Sequence, residues 1–226
     1  MGNYKDDKME ILADKGNGNY AYIDNLQEAR KVFVNEFGGT LFTIAKDVKL
    51  QIEFNPARVQ AYRLIGYEKR RLNNEDFNDD KKDAGELGSG HTVTALYEVI
   101  PVGVKSEYIK SVDPLKYQKT QEEVIPSSNR DLMTLKLRYK KPDGEKSSLI
   151  TNTVLDKGGD WEDASENFRW SAAVASFGML LRESEFAQDT NLALVLDLAR
   201  KAKGQDEEGY RSEFIRLVES TRFLAS

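Results

Sequence analysis

The sequence has no cysteine and a single histidine, His91. Without cysteine the chain cannot form a disulfide, a thiolate metal site or a cysteine nucleophile. With one histidine it cannot build a metal site that uses several imidazole ligands. These two absences remove thiol enzymes and multi-histidine metal centres from the functions open to it.

Long apolar runs and an excess of positive charge are also missing. No stretch approaches the roughly 20 apolar residues of a membrane span, and the first residues lack a basic-then-apolar signal. The 33 Lys and Arg residues are outnumbered by 38 Asp and Glu residues, which gives a net charge of −5. Nucleic-acid and anionic-membrane binders need a basic face. We therefore expect no nucleic-acid partner and no membrane insertion by this chain.

What is present is the composition of a folded globular protein. Hydrophobic residues make up 39% and charged residues 31% of the 226 positions, and there are five prolines, so disorder is not expected. This length suits one large domain or two small ones. Three segments with different periodicity follow one another, and we predict domains at residues 1–39, 40–158 and 159–226.

The first segment, residues 1–39, has the rhythm of an α/β domain. Apolar residues before Gly16 predict a helix, residues 20–23 (YAYI) predict a short strand, and a second apolar stripe through Phe33 predicts a helix that ends at Gly38. One strand cannot make a sheet. We therefore expect this helix–strand–helix to be the remnant of a truncated α/β domain.

The second segment alternates apolar and polar residues with a period of two. The alternation runs through residues 48–54, 93–99 and 133–140, and a Pro-Asp-Gly turn at residues 142–144 predicts a hairpin into residues 149–155. Most of these strands have no helical crossover between them, so we expect an antiparallel β-sandwich. The polar residues 106–129 predict a long surface excursion.

The third segment has helical periodicity. Apolar residues recur at helical spacing over residues 168–181, 192–202 and 210–224, and the string Asp163-Ala164-Ser165 predicts an N-cap for the first helix. The first stripe is so wide that we expect its helix to be buried on most sides. Together the segments predict an α+β chain: an antiparallel β-sandwich followed by a C-terminal helical layer.

Several stretches of the sequence resemble a bacterial family. Residues 1–10 and 12–20 (MGNYKDDKME and LADKGNGNY) resemble the closing segment of a von Willebrand factor type A domain. Further stretches resemble the C-terminal domain of YfbK-type proteins: residues 74–80, 83–86, 88–98, 137–140 and 168–182. The most specific is GSGHTVTALYE at residues 88–98. The resemblance covers nearly the whole chain except residues 106–129.

The resemblance implies a protein of the cell envelope, often lipid-anchored, in which a type A domain precedes this C-terminal domain. It implies no biochemical activity for the C-terminal domain. The Asp-x-Ser-x-Ser motif of the type A metal-ion-dependent adhesion site does not occur here. We therefore expect the chain to be the downstream piece of a longer protein, located in the cell envelope or periplasm. Its expected partners are the upstream type A domain and unidentified envelope proteins.

An acidic loop at residues 75–86 has part of the pattern of a calcium site. Calcium prefers oxygen ligands at alternate positions around a sharp turn, and the candidates here are Asp76, Asn78, Asp80 and Asp83. The loop departs from the pattern because Lys81 stands where glycine is required and Leu87 where the final glutamate is required. The alternative is a solvated loop that caps strand or helix ends, and we assign no cofactor.

No catalytic set emerges from the residues. Ser89 and His91 are close in sequence, but Ser89 lies in no Gly-x-Ser-x-Gly elbow, and we expect His91 to form a hydrogen bond at the entrance to a strand. We therefore expect the chain not to be an enzyme.

Three aromatic residues in predicted loops are candidates for contact with another protein: Tyr108, Tyr117 and Trp161. The alternative is that they pack over an edge of the sandwich. The sequence predicts a non-enzymatic structural or protein-interaction module, and the alternative function is a calcium-stabilised binding domain that uses residues 75–86.

Overall fold

The computed structural model describes residues 5–16, 18, 20–67, 71–109, 130–187 and 189–224. The strands in these residues are β1 (Thr43–Phe54), β2 (Val59–Ile65), β3 (Gly85–Gly88), β4 (Leu96–Pro101), β5 (Asp131–Lys140) and β6 (Ser147–Leu155). The α-helices are α1 (Asp6–Lys15), α2 (Leu26–Arg30), α3 (Phe37–Leu41), α4 (Glu166–Leu181), α5 (Leu192–Lys201) and α6 (Tyr210–Leu224). The predicted α+β class is confirmed, and the arrangement of the sheets as a sandwich stays a prediction.

The chain divides into two compact units that interleave along the sequence. The first unit comprises residues 1–53, 72–93 and 134–153, and the second comprises residues 54–71, 94–133 and 154–226. The division into domains at residues 39 and 158, drawn from sequence periodicity, stays a prediction.

The first unit begins with three helices. A π-helical turn, Lys31–Asn35, lies between α2 and α3, so the single second helix expected from the sequence is broken into three short pieces. Residues 20–23 form no regular secondary structure, and the prediction of a strand there is wrong. Their β-propensity is high, but a strand needs a partner for its backbone hydrogen bonds, and none of the described strands pairs with them.

Most of a four-stranded sheet belongs to the first unit, in the order β3-β1-β5-β6. The strands predicted from alternation at β1 and β5 and from the turn signal at β6 are confirmed, and β5 and β6 are neighbours as the hairpin signal indicated. The sequence did not predict β3, which pairs antiparallel with β1 in an irregular register: Thr43 with Gly88, Ala45 with Leu87 and Val48 with Gly85.

The second unit contains a two-stranded sheet and the three long helices. Strands β2 and β4 pair antiparallel, from Val59 with Pro101 to Ile65 with Leu96. Helices α4, α5 and α6 enclose a cluster of buried apolar side chains formed by Phe177, Val195, Leu196 and Val218. This cluster excludes water and is the densest apolar core among the described residues.

The predicted helix boundaries of the second unit are largely confirmed. Ser165 is the N-cap of α4, and its hydroxyl accepts the backbone N–H of Phe168 at 3.2 Å. The expectation that α4 is buried on most sides is wrong, because Val174 is 41% and Leu181 60% exposed. The buried residues of α4 are Ala173 and Phe177, so its wide apolar stripe is only partly covered.

None of the helices in the described residues is both long enough and apolar enough to cross a membrane.

Candidate functional site

The densest group of charged side chains in the first unit lies where the acidic loop contacts β1 and β5. The loop begins with a 3₁₀ helix, Asn74–Phe77, closed by a capping box in which the Asp76 carboxylate accepts the backbone N–H of Asn73 at 3.1 Å. Lys82 lies 3.7 Å from the same carboxylate. Asp76 therefore stabilises the start of its own loop.

Lys49 anchors this loop from beneath. It projects from β1, is only 2% exposed, and its Nζ donates hydrogen bonds to the backbone carbonyl oxygens of Asp76 at 3.1 Å and Asp79 at 2.5 Å. These carbonyls lie at the C-terminal end of the 3₁₀ helix, where a positive charge is favourable. A buried ammonium from the chain itself is thus the cation around which the loop is organised.

Lys140 makes the second anchor, from β5. Its Nζ lies 2.7 Å from Asp47 Oδ2 and donates a hydrogen bond to the carbonyl oxygen of Asp80 at 2.6 Å. Asp47 Oδ1 accepts the backbone N–H of Ala84 at 3.2 Å, so a carboxylate of β1 holds the far end of the loop. Asp47 has a φ of +49°, within the irregular register of β1, and this left-handed conformation turns the carboxylate towards the loop.

The ion pair moves the pKa values of both partners. Burial raises the pKa of the Asp47 carboxyl, but hydrogen bonds from Lys140 and Ala84 and the charge of Lys140 outweigh burial and leave it below its ordinary value of 3.8. The hydrogen bond to Asp47 raises the pKa of Lys140 above its ordinary value of 10.5. Both shifts mean that the folded state favours the charged pair.

Arg138 makes the third anchor, next to Lys140 on β5. Its guanidinium donates to Asn78 Oδ1 at 3.0 Å and to Ser147 Oγ at 2.7 Å, and its Cζ lies 5.4 Å from the centre of the Phe77 ring. Phe77 is 6% exposed. One arginine therefore fixes the loop, the first residue of β6 and a buried aromatic ring together.

Asp80 closes the cluster. The hydrogen bond from the Ser147 hydroxyl is the largest of the effects that lower the pKa of the Asp80 carboxyl, and the Ser147 backbone N–H donates to its Oδ2 at 3.4 Å. Its Oδ1 is buried and has no hydrogen-bond partner among the residues that the structure describes. The nearby charges of Arg138 and Lys140 also lower its pKa.

The four calcium candidates are close in sequence, but most of them form hydrogen bonds with other residues of the chain. Asp76 and Asn78 hold the cap and Arg138, Asp80 faces Ser147, and Asp83 lines a cleft of about 380 Å³ beside Asp47. The cleft also has Lys46, Glu86, Lys140, Gly144 and Glu145 in its walls. Within the described ranges, no three His, Cys, Asp or Glu side chains are grouped as metal ligands would be. Calcium binding by this loop stays the untested alternative to a solvated loop that caps strand or helix ends.

A second polar cluster lies among the helices of the second unit. Arg211 donates to the carbonyl oxygens of Ala202 at 3.1 Å and Lys203 at 2.9 Å, which follow the end of α5, and to Asn167 Oδ1 at 2.5 Å. Its Cζ lies 5.0 Å from the centre of the Trp170 ring. The residue satisfies carbonyls at a helix end and covers an aromatic face, which is a structural role.

Asp206 caps the helix that carries Arg211. Its carboxylate accepts the backbone N–H groups of Arg211 at 3.0 Å and Ser212 at 2.8 Å, and the Ser212 hydroxyl at 2.7 Å. Burial raises the pKa of Asp206, but these hydrogen bonds outweigh it and keep the pKa below its ordinary value.

The aromatic candidates for protein contact are partly covered by their own chain. Tyr108 is 40% exposed, its ring centre lies 5.0 Å from that of Phe186, and its hydroxyl donates to the carbonyl oxygen of Glu185 at 3.4 Å. Trp161 is 39% exposed and its ring centre lies 5.8 Å from that of Phe168. Tyr117 lies outside the described residues. All three stay predictions.

The other motif considered for chemistry forms a turn. The Ser89 N–H donates to the carbonyl oxygen of Phe42 at 2.8 Å, and the His91 N–H donates to that of Gly88 at 3.1 Å. His91 follows the end of β3 and precedes irregular backbone that continues to residue 95, so its expected position at a strand entrance is wrong. The sequence predicted a strand over residues 93–99 and did not predict β3, whereas β3 ends at Gly88 and β4 begins at Leu96.

The residues that organise the acidic loop were not identified from the sequence. Lys49 and Lys140 stand at polar positions of alternating strands, where period two predicts solvent exposure, and Asp47 gives no local signal of a left-handed conformation. The acidic loop itself was found, because carboxylates at alternate positions are conspicuous. Its partners come from other strands, and a linear pattern does not record them.

A further feature of the first unit is its exposed apolar surface near the N-terminus. The large apolar side chains between residues 26 and 42 that are more than half exposed are Leu26 (85%), Phe33 (63%), Val34 (66%), Phe37 (51%), Leu41 (56%) and Phe42 (66%). Single exposed apolar side chains are ordinary on protein surfaces, whereas a contiguous group of large ones is typical of surfaces that bind another molecule.

An α+β unit whose charged loop is held by its own strands defines a structural domain, and residues 39–224 match the family described as the C-terminal region of an uncharacterised protein, YfbK. The chain belongs to this family. Over 217 residues it is 45% identical to the uncharacterised protein YfbK of Escherichia coli (strain K12). The aligned region covers 96% of this chain and 36% of that protein.

The chain thus spans about a third of the length of this relative, 36%. No solved structure matches it. The resemblance to the YfbK C-terminal domain is confirmed, and the type A domain expected from residues 1–20 stays a prediction.

Proposed function

We propose that this chain is a non-enzymatic structural and protein-interaction module of a longer cell-envelope protein that contains a type A domain. One observation carries the proposal: the row of exposed apolar side chains from Leu26 to Phe42. Burying such side chains is worth roughly 25 cal/mol per Å² of apolar surface. A covering surface would therefore add substantial stability.

The position of these residues supports a type A domain as the covering surface. Most of them precede residue 39, where the match to the C-terminal family begins, yet the similarity to the relative extends over 96% of the chain. These matches support the interpretation that the segment before residue 39 is the end of a preceding domain. Its helices α1 and α2 and the resemblance of residues 1–20 to a type A domain support the same interpretation.

The charged cluster supports a role without catalysis. The side chains of Lys49, Lys140, Arg138 and Asp47 are held by hydrogen bonds and ion pairs within the first unit. The pKa values of Asp47 and Lys140 are shifted by each other, and all four side chains join strands to a loop, which supports a structural role for them. The cluster gives the module a rigid, defined surface.

The test joins this chain to the remaining, upstream part of the Escherichia coli relative and compares this chimera with the chain alone. Hydrogen exchange at residues 26–42 should slow in the chimera, and binding of a dye that fluoresces on apolar surfaces should fall. Unchanged exchange and unchanged dye binding in a folded chimera would overturn the proposal. Turnover of a substrate by the purified chain would overturn its non-enzymatic part.

A matched pair of variants assigns the effect to the apolar row. Phe33→Ser should lower dye binding by the chain alone, since it removes a side chain that is 63% exposed. Leu217→Ser removes a similarly exposed residue, 54%, far along the sequence and should leave the difference between chain and chimera unchanged.

The envelope location rests on the family resemblance of the sequence. Fractionation of cells that express the tagged Escherichia coli relative tests it directly: we expect the relative in the membrane and periplasmic fractions. Recovery in the cytoplasmic fraction alone would contradict this part of the proposal.

A further inference from the structure

Strand β6 has an open outer edge. It is the last strand in the order β3-β1-β5-β6, and within the described residues its only strand neighbour is β5. Seven of its nine residues are exposed. Consecutive residues Leu149 and Ile150, which point to opposite faces of a strand, are 50% and 51% exposed.

The sequence of β6 lacks the features that normally protect an edge. Residues 147–155 (SSLITNTVL) contain no charged residue, no proline and no glycine. Natural edge strands are usually short, charged, bulged or interrupted by proline, because an open row of N–H and C=O groups pairs with any available strand. The opposite edge strand, β3, is only four residues long and meets β1 in an irregular register.

We propose that β6 pairs antiparallel with β6 of a second copy of this chain, about a two-fold axis at Thr151. This inference concerns a partner of the C-terminal region itself and does not depend on the proposed type A domain. In this register Ser147 faces Leu155, Leu149 faces Thr153, and the two Thr151 residues face each other. The pairing completes the backbone hydrogen bonds of both outer edges and forms one continuous sheet.

The charges that flank β6 favour this register. Counting outward from Thr151, Lys146 of one copy lies opposite Asp156 of the other, and Glu145 lies opposite Lys157. At each end of the paired strands, two pairs of opposite charges therefore face each other, and no like charges do. Asp156 pairs with Arg58 at 3.1 Å within its own chain but keeps 43% of its side chain exposed, so it remains accessible to a second lysine.

The same features distinguish a second copy from an unrelated strand. A strand from another protein would need no particular charge at its ends, whereas two-fold pairing requires that β6 complement itself, and it does so at both ends. The contact is smaller than the roughly 1,200 Å² of a typical stable interface, so we expect a weak dimer that depends on concentration.

Single cysteines test the register, because the natural chain has none. In the proposed dimer the two residues at 151 lie opposite each other, with Cα atoms about 4.5 to 5.5 Å apart. This separation is within disulfide range. Thr151→Cys should therefore form a disulfide-linked dimer under mild oxidation. Ser148→Cys is the matched control: its two thiols would be about 20 Å apart in this register, and it should stay largely monomeric.

Charge variants test the association in solution. Sedimentation of the full chain should show a monomer–dimer equilibrium in the micromolar range. Thr151→Lys places two ammonium groups opposite each other and should shift the chain to monomer, as should Thr151→Glu, while an equimolar mixture of the two should recover a dimer. Thr92→Lys, an exposed residue outside any strand, should dimerise like the natural chain.

Three outcomes would overturn the proposal. They are a natural chain that remains monomeric at high concentration, equal cross-linking at positions 148 and 151, and a dimer that the variants at Thr151 do not affect. Open-ended aggregates in place of a dimer would also overturn it, since two-fold pairing leaves neither copy with an unpaired β6 edge. Circular dichroism and melting of each variant establish that loss of dimer is not loss of fold.

Discussion

Lys140 Nζ lies 2.7 Å from Asp47 Oδ2, although the two residues are far apart in sequence and lie on the adjacent strands β5 and β1. The pair brings two features together. It ties the irregular part of β1 to β5, and through the Ala84 N–H and the Asp80 carbonyl it holds both halves of the acidic loop. The stability of the first unit should therefore depend on the charge of both residues.

We expect stability to depend on pH at both extremes. The pKa of Asp47 in the folded chain is below 3.8, so its contribution is complete above that pH and is lost as the pH falls through the folded value. The pKa of Lys140 is above 10.5, so its contribution is complete below that pH and is lost as the pH rises through the folded value. Urea unfolding across the pH range measures both limbs.

The variant Asp47→Asn separates charge from backbone geometry. Asparagine tolerates the left-handed conformation that Asp47 adopts, so the change removes the charge and keeps the turn. It should lower the urea midpoint near neutral pH and flatten the alkaline limb. It should flatten the acid limb only in part, because the pKa values of Asp80 and Asp206 are also lowered. Asp143→Asn, in the exposed hairpin turn, should keep both limbs; identical profiles for the two variants would contradict the assignment.

Replacing Lys49 by Met should loosen the acidic loop. The change keeps the buried aliphatic volume but removes the donor to the carbonyl oxygens of Asp76 and Asp79. The two carbonyl oxygens keep the longer hydrogen bonds from the backbone N–H groups of Asp79 and Lys82, and losing the charge-assisted bonds from Lys49 should cost about 1 to 3 kcal/mol of unfolding free energy. Urea unfolding and hydrogen exchange at residues 74–86 measure the loss. Lys81→Met, at an exposed position of the same loop, should change neither; an equal effect would show that Lys49 is not the anchor.

Calcium should leave the melting temperature unchanged at millimolar concentration. The ammonium groups of Lys49 on β1 and Lys140 on β5 already contact carbonyl oxygens of the loop, and their repulsion opposes a divalent ion beside Asp80. A ligand that binds only the folded state must raise the melting temperature. Thermal melts with calcium, and with magnesium at equal ionic strength, make the comparison. A rise with calcium alone would instead support the calcium-stabilised alternative.

The elements that the sequence predicted well are those specified by local signals. The C-terminal helices follow from apolar spacing and from caps such as Ser165, β1 and β5 follow from alternation, and β6 follows from the turn at residues 142–144. Strand β3 has four residues, two of them glycine, and exists because β1 offers it a partner. Residues 20–23 show the converse, since strong β-propensity forms no strand without one.

The candidate site was predictable in part. Its carboxylates attracted attention because they are crowded in sequence, but their function depends on lysines brought from other strands. Lys49 lies 27 positions from Asp76, and Lys140 lies 60 from Asp80. Contacts across such separations are set by strand order and register, which period-two alternation does not determine.

A close approach of two glycines gives a sharp test of the contact between α3 and β3. A Cβ atom on Gly88 would overlap the backbone carbonyl of Gly39, whereas a Cβ on Gly85 would meet nothing within 4 Å. Gly88→Ala should therefore displace α3 and lower stability by about 1 to 3 kcal/mol, in the range of overpacked sites. Gly85→Ala, in the same strand, should be nearly neutral. Similar unfolding midpoints for the two variants would contradict this close approach.

Arg211 should be difficult to replace because one guanidinium makes three hydrogen bonds and covers the Trp170 ring. Arg211→Met keeps the apolar contact but leaves the carbonyls after α5 without these donors, which should lower stability by about 1 to 3 kcal/mol. Arg211→Lys should recover little, because an ammonium cannot reproduce the planar fork. In a Trp161→Phe background, Trp170 is the remaining tryptophan, and its emission should shift in both variants as its environment changes. Arg216→Met, exposed on the same helix, should shift neither emission nor stability, and a comparable shift there would show that the contact with Trp170 is not what the measurement reports.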